Sequence, residues 1–340
     1  MAGTAANREE PPPWERLSES DEYAALFRAR FDHLVEVRQP LVLVSQVQRS
    51  GSTLLGQLFD GHPECHAHPY EIRIGPRRRT YEWPEIDLDR PDTWFESLYE
   101  RKPGIHLEEG YRTSAASTEY FPFLFLPRLQ RQIFDRCVAA RNPRRERDVL
   151  DCYFTSYFNA WLDNQNLYTG PKKIVVGTTP RLAMNIDHVE AFFAAYPDGT
   201  LISAVRQPAG WFHSASRKYG YEDVEEAIAI WRRSAEATLV AAGRWGDRVV
   251  VVVYEALVGE TAAAMRRIAE RIGISMTESL VTPTFNGMPI RANSSFPVDR
   301  PGILGDRVQA YREGLDGDTL ARIDELAGDL YERALEYTAA

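Results

Sequence analysis

The chain alternates short apolar runs with stretches of helical periodicity. Buried strands are predicted at four runs, each followed by helix-like sequence: LVLVSQV (41–47), KIVVG (173–177), TLISAVR (200–206) and RVVVVVYEAL (248–257). Runs that are apolar throughout are typical of strands covered on both faces. Strands that alternate with helices favour a parallel sheet between two helical layers. We therefore predict an α/β fold, a three-layer sandwich with a central parallel sheet.

Helical patterns also mark the two ends of the predicted domain. SDEYAALFRARFDHLVEV (20–37) has the composition and spacing of a helix, and DGDTLARIDELAGDLYERALEY (316–337) predicts an amphipathic closing helix. Residues 1–18, which contain several Pro and Glu, are expected to form a flexible lead-in. We predict a single domain over 19–340.

A long segment rich in aromatic residues and proline separates the first two predicted strands, at about 76–170. Its second half, which includes YFPFLFLPRLQRQIFDRC and YFTSYFNAWLDNQNLY, has helical character. Most of these aromatic side chains are expected to belong to the core. The segment as a whole is predicted to be a mainly helical insert that contributes a ligand pocket.

Composition excludes several classes of protein. The 40 basic and 49 acidic residues give a formal net charge of −9, which argues against general nucleic-acid binding. Cys65, Cys137 and Cys152 show no metal-type spacing, and their odd number favours a reducing compartment over secretion. The chain does not begin with a signal-peptide pattern, and no run approaches the roughly 20 apolar residues of a membrane span. We expect a cytoplasmic protein with no nucleic-acid or membrane partner.

The first predicted strand runs into a turn of small residues, QVQRSGSTLL (46–55). A Walker loop reads G-x-x-x-x-G-K-[ST], but Gln46 stands here at the first glycine and Ser52 at the lysine, which disfavours ATP or GTP hydrolysis. The backbone N–H groups around Gly51 and the start of the next helix still favour anion binding, and Arg49 adds a fixed positive charge.

The sequence RSGSTLL at the end of a strand resembles the 5′-phosphosulfate-binding loop of sulfotransferases that use 3′-phosphoadenosine 5′-phosphosulfate (PAPS). The resemblance implies that this loop binds the phosphosulfate group. Its candidate binding residues are Arg49, Ser50, Gly51, Ser52 and Thr53.

A second match lies in TLISAVRQPAGWFHSAS (200–216), where a predicted strand runs into a helix that begins with proline. It resembles the 3′-phosphate site of the same family, an Arg-Asp-Pro sequence followed by a serine, with Gln207 in place of the acidic residue. The resemblance implies that Arg206 and Ser214 bind the 3′-phosphate, and Ser216 is a competing hydroxyl in the same helix.

A third segment, PTFNGMPIRANSSF (283–296), resembles the C-terminal loop that closes over the nucleotide in many bacterial and Golgi-type sulfotransferases. Its dense polar residues favour a ligand-covering loop over a helix. Arg291, Asn293 and Ser294 are its candidate contacts to the 3′-phosphate or the adenosine.

The resemblance implies that the sulfuryl group of PAPS is transferred to an acceptor hydroxyl, with release of adenosine 3′,5′-diphosphate (PAP). A sulfuryl group carries less charge than a phosphoryl group, so positioned cations and N–H groups are expected to stabilise its transfer without a metal. Arg49 is implied to stabilise the leaving diphosphate, in place of the lysine of cytosolic members. Thr178 stands nearest to the position where relatives often carry another lysine.

The acceptor hydroxyl needs a base within hydrogen-bond reach. The most similar family members carry a glutamate base shortly after a His-Pro turn, and Glu71 is the best match in DGHPECHAHPYEIRIG. Glu64, His66 and His68 compete for this role by proximity. His106, in PGIHLEEG, is an alternative base by analogy with the histidine of cytosolic members.

The class of acceptor is less well marked. The aromatic insert suggests an apolar or flat acceptor, the RRR sequence at 77–79 suits an acidic one, and neither excludes a sugar. We predict a small-molecule or metabolite hydroxyl, and the usage of Ala and Arg hints at a bacterial origin. The alternatives are a carbohydrate acceptor and a non-catalytic nucleotide-binding interaction protein on the same fold. No oligomeric state is predicted.

Overall fold

The computed structural model describes residues 21–72, 82–100, 102–113, 117, 119–296, 298 and 300–339. The predicted lead-in at 1–18 and the arginines at 77–79 lie outside these ranges. Among the described residues, no helix combines the length and the apolar composition that a membrane crossing requires.

Five parallel strands form the central sheet, in the order β2-β3-β1-β4-β5, and two short strands pair antiparallel beside it. The strands are β1 (Leu41–Val44), β2 (Cys65–Glu71), β3 (Ile174–Thr178), β4 (Thr200–Val205), β5 (Val249–Val253), β6 (Thr284–Phe285) and β7 (Met288–Pro289). Four strands of the sheet match the predicted runs. The fifth, β2, was not predicted because its sequence, CHAHPYE, has no apolar run although most of its residues are buried.

Helices cover both faces of the sheet. They are α1 (Asp21–Asp32), α2 (Ser52–Phe59), α3 (Trp94–Leu98), α4 (Lys102–Glu109), α5 (Pro127–Arg141), α6 (Glu146–Ala160), α7 (Ile186–Ala195), α8 (Pro208–Tyr219), α9 (Val224–Trp245), α10 (Tyr254–Gly259), α11 (Thr261–Ile272), α12 (Tyr311–Gly314) and α13 (Gly317–Ala339). Short 3-10 helices lie at Pro91–Thr93, Leu182–Met184, Gly246–Arg248, Glu278–Val281 and Gly305–Arg307. The closing helix matches its prediction, whereas α1 ends before the predicted limit at 37.

The central strand β1 shows how the sheet is covered. It lies in register between β3 and β4 and is buried along its whole length. Leu41 and Leu43 pack in one hydrophobic cluster and Val42 and Val44 in another, as expected for side chains that alternate between two faces. The α/β fold with a central parallel sheet between helices is therefore confirmed.

The second half of the aromatic segment is helical, as predicted. Helices α5 and α6 pack against each other, and every residue of α6 from Val149 to Ala160 is buried. A helix that is buried on all sides is typical of the centre of a large core. This core supports one wall of the candidate site described below.

The hairpin of β6 and β7 begins the predicted C-terminal loop (283–296). Asn286 and Gly287 form its turn with φ angles of 51° and 77°, the left-handed conformation that Asn-Gly pairs favour in two-residue hairpins. Asp60 Oδ2 accepts hydrogen bonds from Thr284 Oγ1 at 2.7 Å and from the main-chain N–H of Gly287 at 2.9 Å. The turn at 46–51, for which anion binding is predicted, is named here the phosphate loop, and α2 begins directly after it. Since Asp60 follows α2 directly, these bonds tie the C-terminal loop to α2.

Candidate active site

The residues singled out in the sequence converge at the carboxyl ends of the strands. The loop after β1 holds Arg49, β2 ends at Glu71, β4 is followed by Arg206 and β5 by Tyr254. In parallel sheets these strand ends meet at one edge, where α/β proteins place their ligand sites. Two adjoining cavities open at this edge.

The first cavity, named here the cationic cleft, has a volume of about 770 Å³. Eight of the predicted binding residues line it: Arg49, Gly51, Ser52, Thr53, Arg206, Ser214, Asn293 and Ser294. Its lining also includes Gln57, Tyr254 and Arg307, which sequence analysis did not assign to the site. Tyr254 lies within the predicted run RVVVVVYEAL (248–257), directly after the residue where β5 ends.

The backbone of the phosphate loop is left-handed at Arg49, with φ of 70°, and at Gly51, with φ of 100°. A Cβ atom at residue 51 would lie 2.8 Å from Cδ2 of Tyr254, so both the conformation and the space require glycine. Gly51 is the N-cap of α2 and supplies no side-chain cap. The N–H groups of the first turn of α2 are therefore left open, which is the arrangement that binds anions at helix N-termini.

Two arginines concentrate positive charge in the cationic cleft. Arg206 Nη1 donates to the main-chain carbonyl of Arg49 at 2.8 Å, and its guanidinium lies over the Tyr254 ring, 4.4 Å from the centroid. Burial lowers the pKa of Arg49, and the charge of Arg206 lowers it further. No Asp or Glu is among the described residues that line the cleft. Glu255, which does not line the cleft, interacts electrostatically with Arg206, and a bound anion would add compensating charge inside the cleft.

Arg49 also holds the C-terminal loop. Its Nε donates to Ser214 Oγ at 3.2 Å, and its Nη2 donates to the carbonyl of Asn293 at 3.1 Å and to Ser295 Oγ at 2.9 Å. Ser295 was not predicted, although it is the second serine of the quoted NSSF sequence. One guanidinium thus joins the phosphate loop, helix α8 and the loop that follows β7.

Helix α8, which begins with Pro208, shows which of its two serines lines the cleft and what Gln207 does. Ser214 lines the cationic cleft, whereas Ser216 does not, and the Oγ of Ser216 is buried without a hydrogen-bond partner in the described part of the chain. Gln207 Oε1 accepts from the main-chain N–H of Gly210 at 2.6 Å. Gln207 therefore caps the helix, the task that an acidic residue performs at such a position.

Two of the predicted nucleotide contacts lie outside the cleft. The side chain of Ser50 is buried and does not line it. The main-chain N–H of Arg291 donates to Glu119 Oε2 at 3.2 Å, and Arg291 Nε lies 4.0 Å from Glu119 Oε1. The charge of Arg291 is therefore compensated by Glu119 beside the cleft, and the structure does not bring this arginine to the other candidate residues.

The second cavity, named here the Glu71 cavity, has a volume of about 710 Å³. Glu71 and His106 line it, and so does His68, one of the competing bases. Thr53, Gln57 and Asn293 line this cavity and the cationic cleft alike, so they form a shared wall. A group bound at the phosphate loop and a group bound beside Glu71 would therefore contact the same three uncharged side chains.

An irregularity in the sheet places Glu71. The pairing of β2 with β3 shifts register between Ala67 and Glu71, so that Glu71 lies opposite Thr178. Irregularities of this kind bend a strand and change the direction of its side chains, often next to active sites. Thr178, at the position where relatives often carry lysine, also lines the cavity. No group of three His, Cys, Asp or Glu residues in the described ranges is arranged to hold a metal ion.

His68 and Glu100 hold the end of β2 from behind. His68 Nδ1 lies 2.8 Å from the carbonyl oxygen of Tyr70, and because a carbonyl only accepts, this nitrogen carries the hydrogen. His68 Nε2 lies 3.3 Å from Glu100 Oε1, and the two side chains are 0% and 1% exposed. The His68 ring stacks on Tyr157 with centroids 4.5 Å apart. Through Nδ1, His68 therefore fixes the residue before Glu71, while its Nε2 faces Glu100 and has no hydrogen-bond partner among the described residues.

The other competing bases are occupied elsewhere. Glu64 accepts from the main-chain N–H of Ser275 at 2.6 Å and pairs with Lys173 Nζ at 2.7 Å, at the opposite end of β2. The His66 ring packs on Phe158, with centroids 5.0 Å apart. Neither Glu64 nor His66 lines the Glu71 cavity. Of the five predicted bases, Glu71, His68 and His106 line the Glu71 cavity; the side chain of His68 is fully buried and holds Tyr70, which leaves Glu71 and His106 as the candidates for the base.

The environment of His106 makes it a weak base. Its ring contacts Tyr70 at 4.9 Å and Tyr111 at 5.4 Å between centroids. Burial, together with the charge of Lys102, lowers the pKa of His106 to about 4. The imidazole is therefore neutral at pH 7. Its Nε2 is buried and has no hydrogen-bond partner within the described residues.

Comparison with known proteins places the chain in a class. Residues 40–278 match the model of the sulfotransferase family. The match covers most of the chain, including β1 to β5 and the phosphate loop, and the chain belongs to this family. No curated protein sequence matches it significantly.

Solved sulfotransferase structures resemble the chain at low identity. The sulfotransferase domain of the olefin synthase of Synechococcus PCC 7002 is 18% identical, with a TM-score of 0.46, over 86% of this chain and 96% of that one. The sulfotransferase domain of the curacin biosynthetic pathway is 15% identical, with a TM-score of 0.46, over 86% and 99%. Sulfotransferase STF9 of Mycobacterium avium is 16% identical, with a TM-score of 0.40, over 92% and 80%.

Proposed function

We propose that the protein transfers the sulfuryl group of PAPS to the hydroxyl of a small-molecule acceptor and releases PAP. The observation that carries this proposal is the wall of Thr53, Gln57 and Asn293 shared by the cationic cleft and the Glu71 cavity. Group transfer requires donor and acceptor to be held next to each other in line. Adjoining cavities, one cationic and one with a carboxylate, meet this requirement.

The charges and donors of the cationic cleft support PAPS as the donor substrate. The open N–H groups at the start of α2 and the charge of Arg49 suit a 5′-phosphosulfate. Arg206 Nε is buried and has no hydrogen-bond partner among the described residues, and a 3′-phosphate beside Ser214 would satisfy it. Ser52 stands where a Walker loop has the lysine that binds the β- and γ-phosphates of ATP.

In the proposed transfer, Glu71 takes the proton from the acceptor hydroxyl. The hydroxyl oxygen forms a bond to sulfur while the bond from sulfur to the 5′-phosphate oxygen breaks, and that oxygen keeps the electron pair. Arg49 stabilises the negative charge on the departing PAP, and Glu71 then returns its proton to solvent. His106 is the alternative base, since it lines the same cavity.

Thermal unfolding with nucleotides tests the donor. A ligand that binds only the folded protein stabilises it by RT ln(1 + [L]/Kd), so we expect PAP to raise the melting temperature in a concentration-dependent way and ATP with magnesium to have little effect. Incubation with PAPS and a metabolite extract, followed by mass spectrometry, should then show a product heavier by one sulfonate group. Magnesium-dependent ATP turnover would instead support a kinase, and PAP binding without any transfer would support a nucleotide-binding interaction protein.

A further inference from the structure

We propose that the acceptor carries a carboxylate or phosphate group in addition to its hydroxyl, and that the two are joined by a flat apolar body. This inference rests on the proposed sulfuryl transfer. It starts from the charges of the Glu71 cavity, where Lys102 and Arg112 lie in the lining together with Glu71. These three are the Lys, Arg, Asp and Glu residues among the described lining, which also includes His68 and the neutral His106.

The balance of basic and acidic residues in the two cavities differs from that of the whole chain. Acidic residues exceed basic ones by 49 to 40 over the whole sequence. In the two cavities the balance is reversed, since Arg49, Arg206 and Arg307 line the cleft and Lys102 and Arg112 line the Glu71 cavity. A cavity lined by one sign of charge concentrates ligands of the opposite sign. The proposed nucleotide would add negative charge in the cleft, and the proposed acceptor would meet the guanidinium of Arg112 in the Glu71 cavity.

Arg112 is available for such a contact and is held in place. Within the described part of the chain it has no carboxylate partner. The preceding residue, Tyr111, is 7% exposed and stacks on Phe285 of β6 with parallel rings 3.9 Å apart. Lys102, which also lines the Glu71 cavity, has its Nζ 5.2 Å from the centroid of the Tyr70 ring. Arg112 therefore extends from a fixed aromatic pair, which suits recognition of a carboxylate or phosphate.

The position of Glu71 determines how such an acceptor would lie. A second negative group next to Glu71 is repelled, so the anionic group belongs at Lys102 and Arg112 and the hydroxyl at Glu71. The lining also includes the aromatic side chains of Tyr70 and Tyr111. Aromatic rings favour a flat apolar ligand between two polar ends.

Matched phenols test the proposal with the full chain and PAPS. The probes are 3-(4-hydroxyphenyl)propanoate for the carboxylate, hydroquinone monophosphate for the phosphate, methyl 3-(4-hydroxyphenyl)propanoate as the neutral partner and tyramine as the cation. We expect kcat/KM for at least one anionic probe to exceed that of the neutral ester by about tenfold, the size expected for one charged hydrogen bond. The difference should lie mainly in KM, because the anionic group is not part of the reaction.

Arg112→Gln should reduce this preference to within about threefold, mainly by raising KM for the anionic probe. Arg233→Gln is the matched control, since Arg233 is an exposed arginine on α9, away from both cavities, and it should keep the preference. The proposal is overturned if the ester or tyramine is preferred, if no probe accepts the sulfuryl group, or if the preference survives in Arg112→Gln. PAP binding, measured separately, distinguishes these results from failure of the proposed function, because a protein that does not bind PAP refutes the donor itself.

Discussion

Arg206 donates a hydrogen bond from Nη1 to the main-chain carbonyl of Arg49, across 2.8 Å. The residue proposed to bind the 3′-phosphate thus supports the backbone of the residue proposed to bind the 5′-phosphosulfate. Arg49 has a left-handed φ of 70°, a conformation that a residue with a side chain adopts only when its surroundings enforce it. The sites proposed for the two ends of the nucleotide are therefore joined by this hydrogen bond.

Replacing Arg206 separates the two roles. We expect Arg206→Met to weaken PAP binding by about 1.5–3 kcal/mol, the contribution of a charged hydrogen bond. Calorimetry with PAP and with AMP, which lacks the 3′-phosphate, measures the effect. A loss confined to PAP shows that Arg206 binds the 3′-phosphate, whereas an equal loss for both shows that it acts through the Arg49 backbone. Arg233→Met is the control and should alter neither affinity.

Replacing the base tests the chemical step. We expect Glu71→Gln to lower kcat by about 10²–10⁴-fold, the usual contribution of a general base, with PAP affinity nearly unchanged because Glu71 does not line the cationic cleft. His106→Gln, in the same cavity, is the matched comparison and should reduce kcat far less. The reverse pattern, in which His106→Gln abolishes turnover and Glu71→Gln does not, would assign the base to His106.

Replacing Gly51 tests the phosphate loop. An alanine there must adopt φ near 100° and place Cβ 2.8 Å from Tyr254 Cδ2. We expect Gly51→Ala to cost about 1–2 kcal/mol of folding free energy in thermal unfolding and to weaken PAP binding. Gly259→Ala is the control, since no atom lies within 4 Å of the added Cβ, and it should be nearly neutral. Normal PAP affinity in Gly51→Ala would contradict the proposed role of this turn.

The buried histidine of β2 predicts sensitivity to acid. Burial lowers the pKa of His66 from 6.5 to about 3. Because the unfolded chain binds this proton more readily, the stability that comes from neutral His66 is present above about pH 6.5 and is lost as the pH falls towards 3, by about 1.4 kcal/mol per pH unit.

Denaturant unfolding between pH 7 and pH 4 measures this loss. His66→Leu should flatten the decline in free energy of unfolding with falling pH, and His33→Gln, a change at an exposed histidine, should leave the decline as it is. Equal slopes in the wild type and His66→Leu would show that His66 does not stay neutral in the folded protein. A residual slope is expected in the variant, since burial also lowers the pKa of His106.

The sequence was most informative where local pattern and final environment agree. Strands β1, β3, β4 and β5 are apolar because they are covered on both faces, and each was predicted within a few residues. Strand β2 escaped prediction because its buried histidines are stabilised by tertiary contacts, such as the one between His68 and Glu100, that no short window contains. The hairpin of β6 and β7 had a local signal, Asn286-Gly287, which was not recognised.

The site was predictable in parts for the same reason. Residues next to a strand end or at a helix start, such as Arg49 and Arg206, follow from the order of elements along the chain. Arg291 lies outside the cleft and contacts Glu119, which is 172 positions away in the sequence. Only the structure could show this contact. Tyr254 and Ser295 carry no charge that would mark them, and their roles depend on which atoms they meet.

The three bonds from Arg49 to Ser214, Asn293 and Ser295 have a kinetic consequence. The guanidinium proposed to stabilise the departing diphosphate also holds the segment proposed to cover the nucleotide, so we expect PAP to leave only when those bonds exchange. We expect product release to limit the steady-state rate, with a rapid first turnover that forms about one equivalent of PAP per protein before slower cycling. Rapid-quench measurements would show this burst, and linear product formation from the start would place the slow step in sulfuryl transfer.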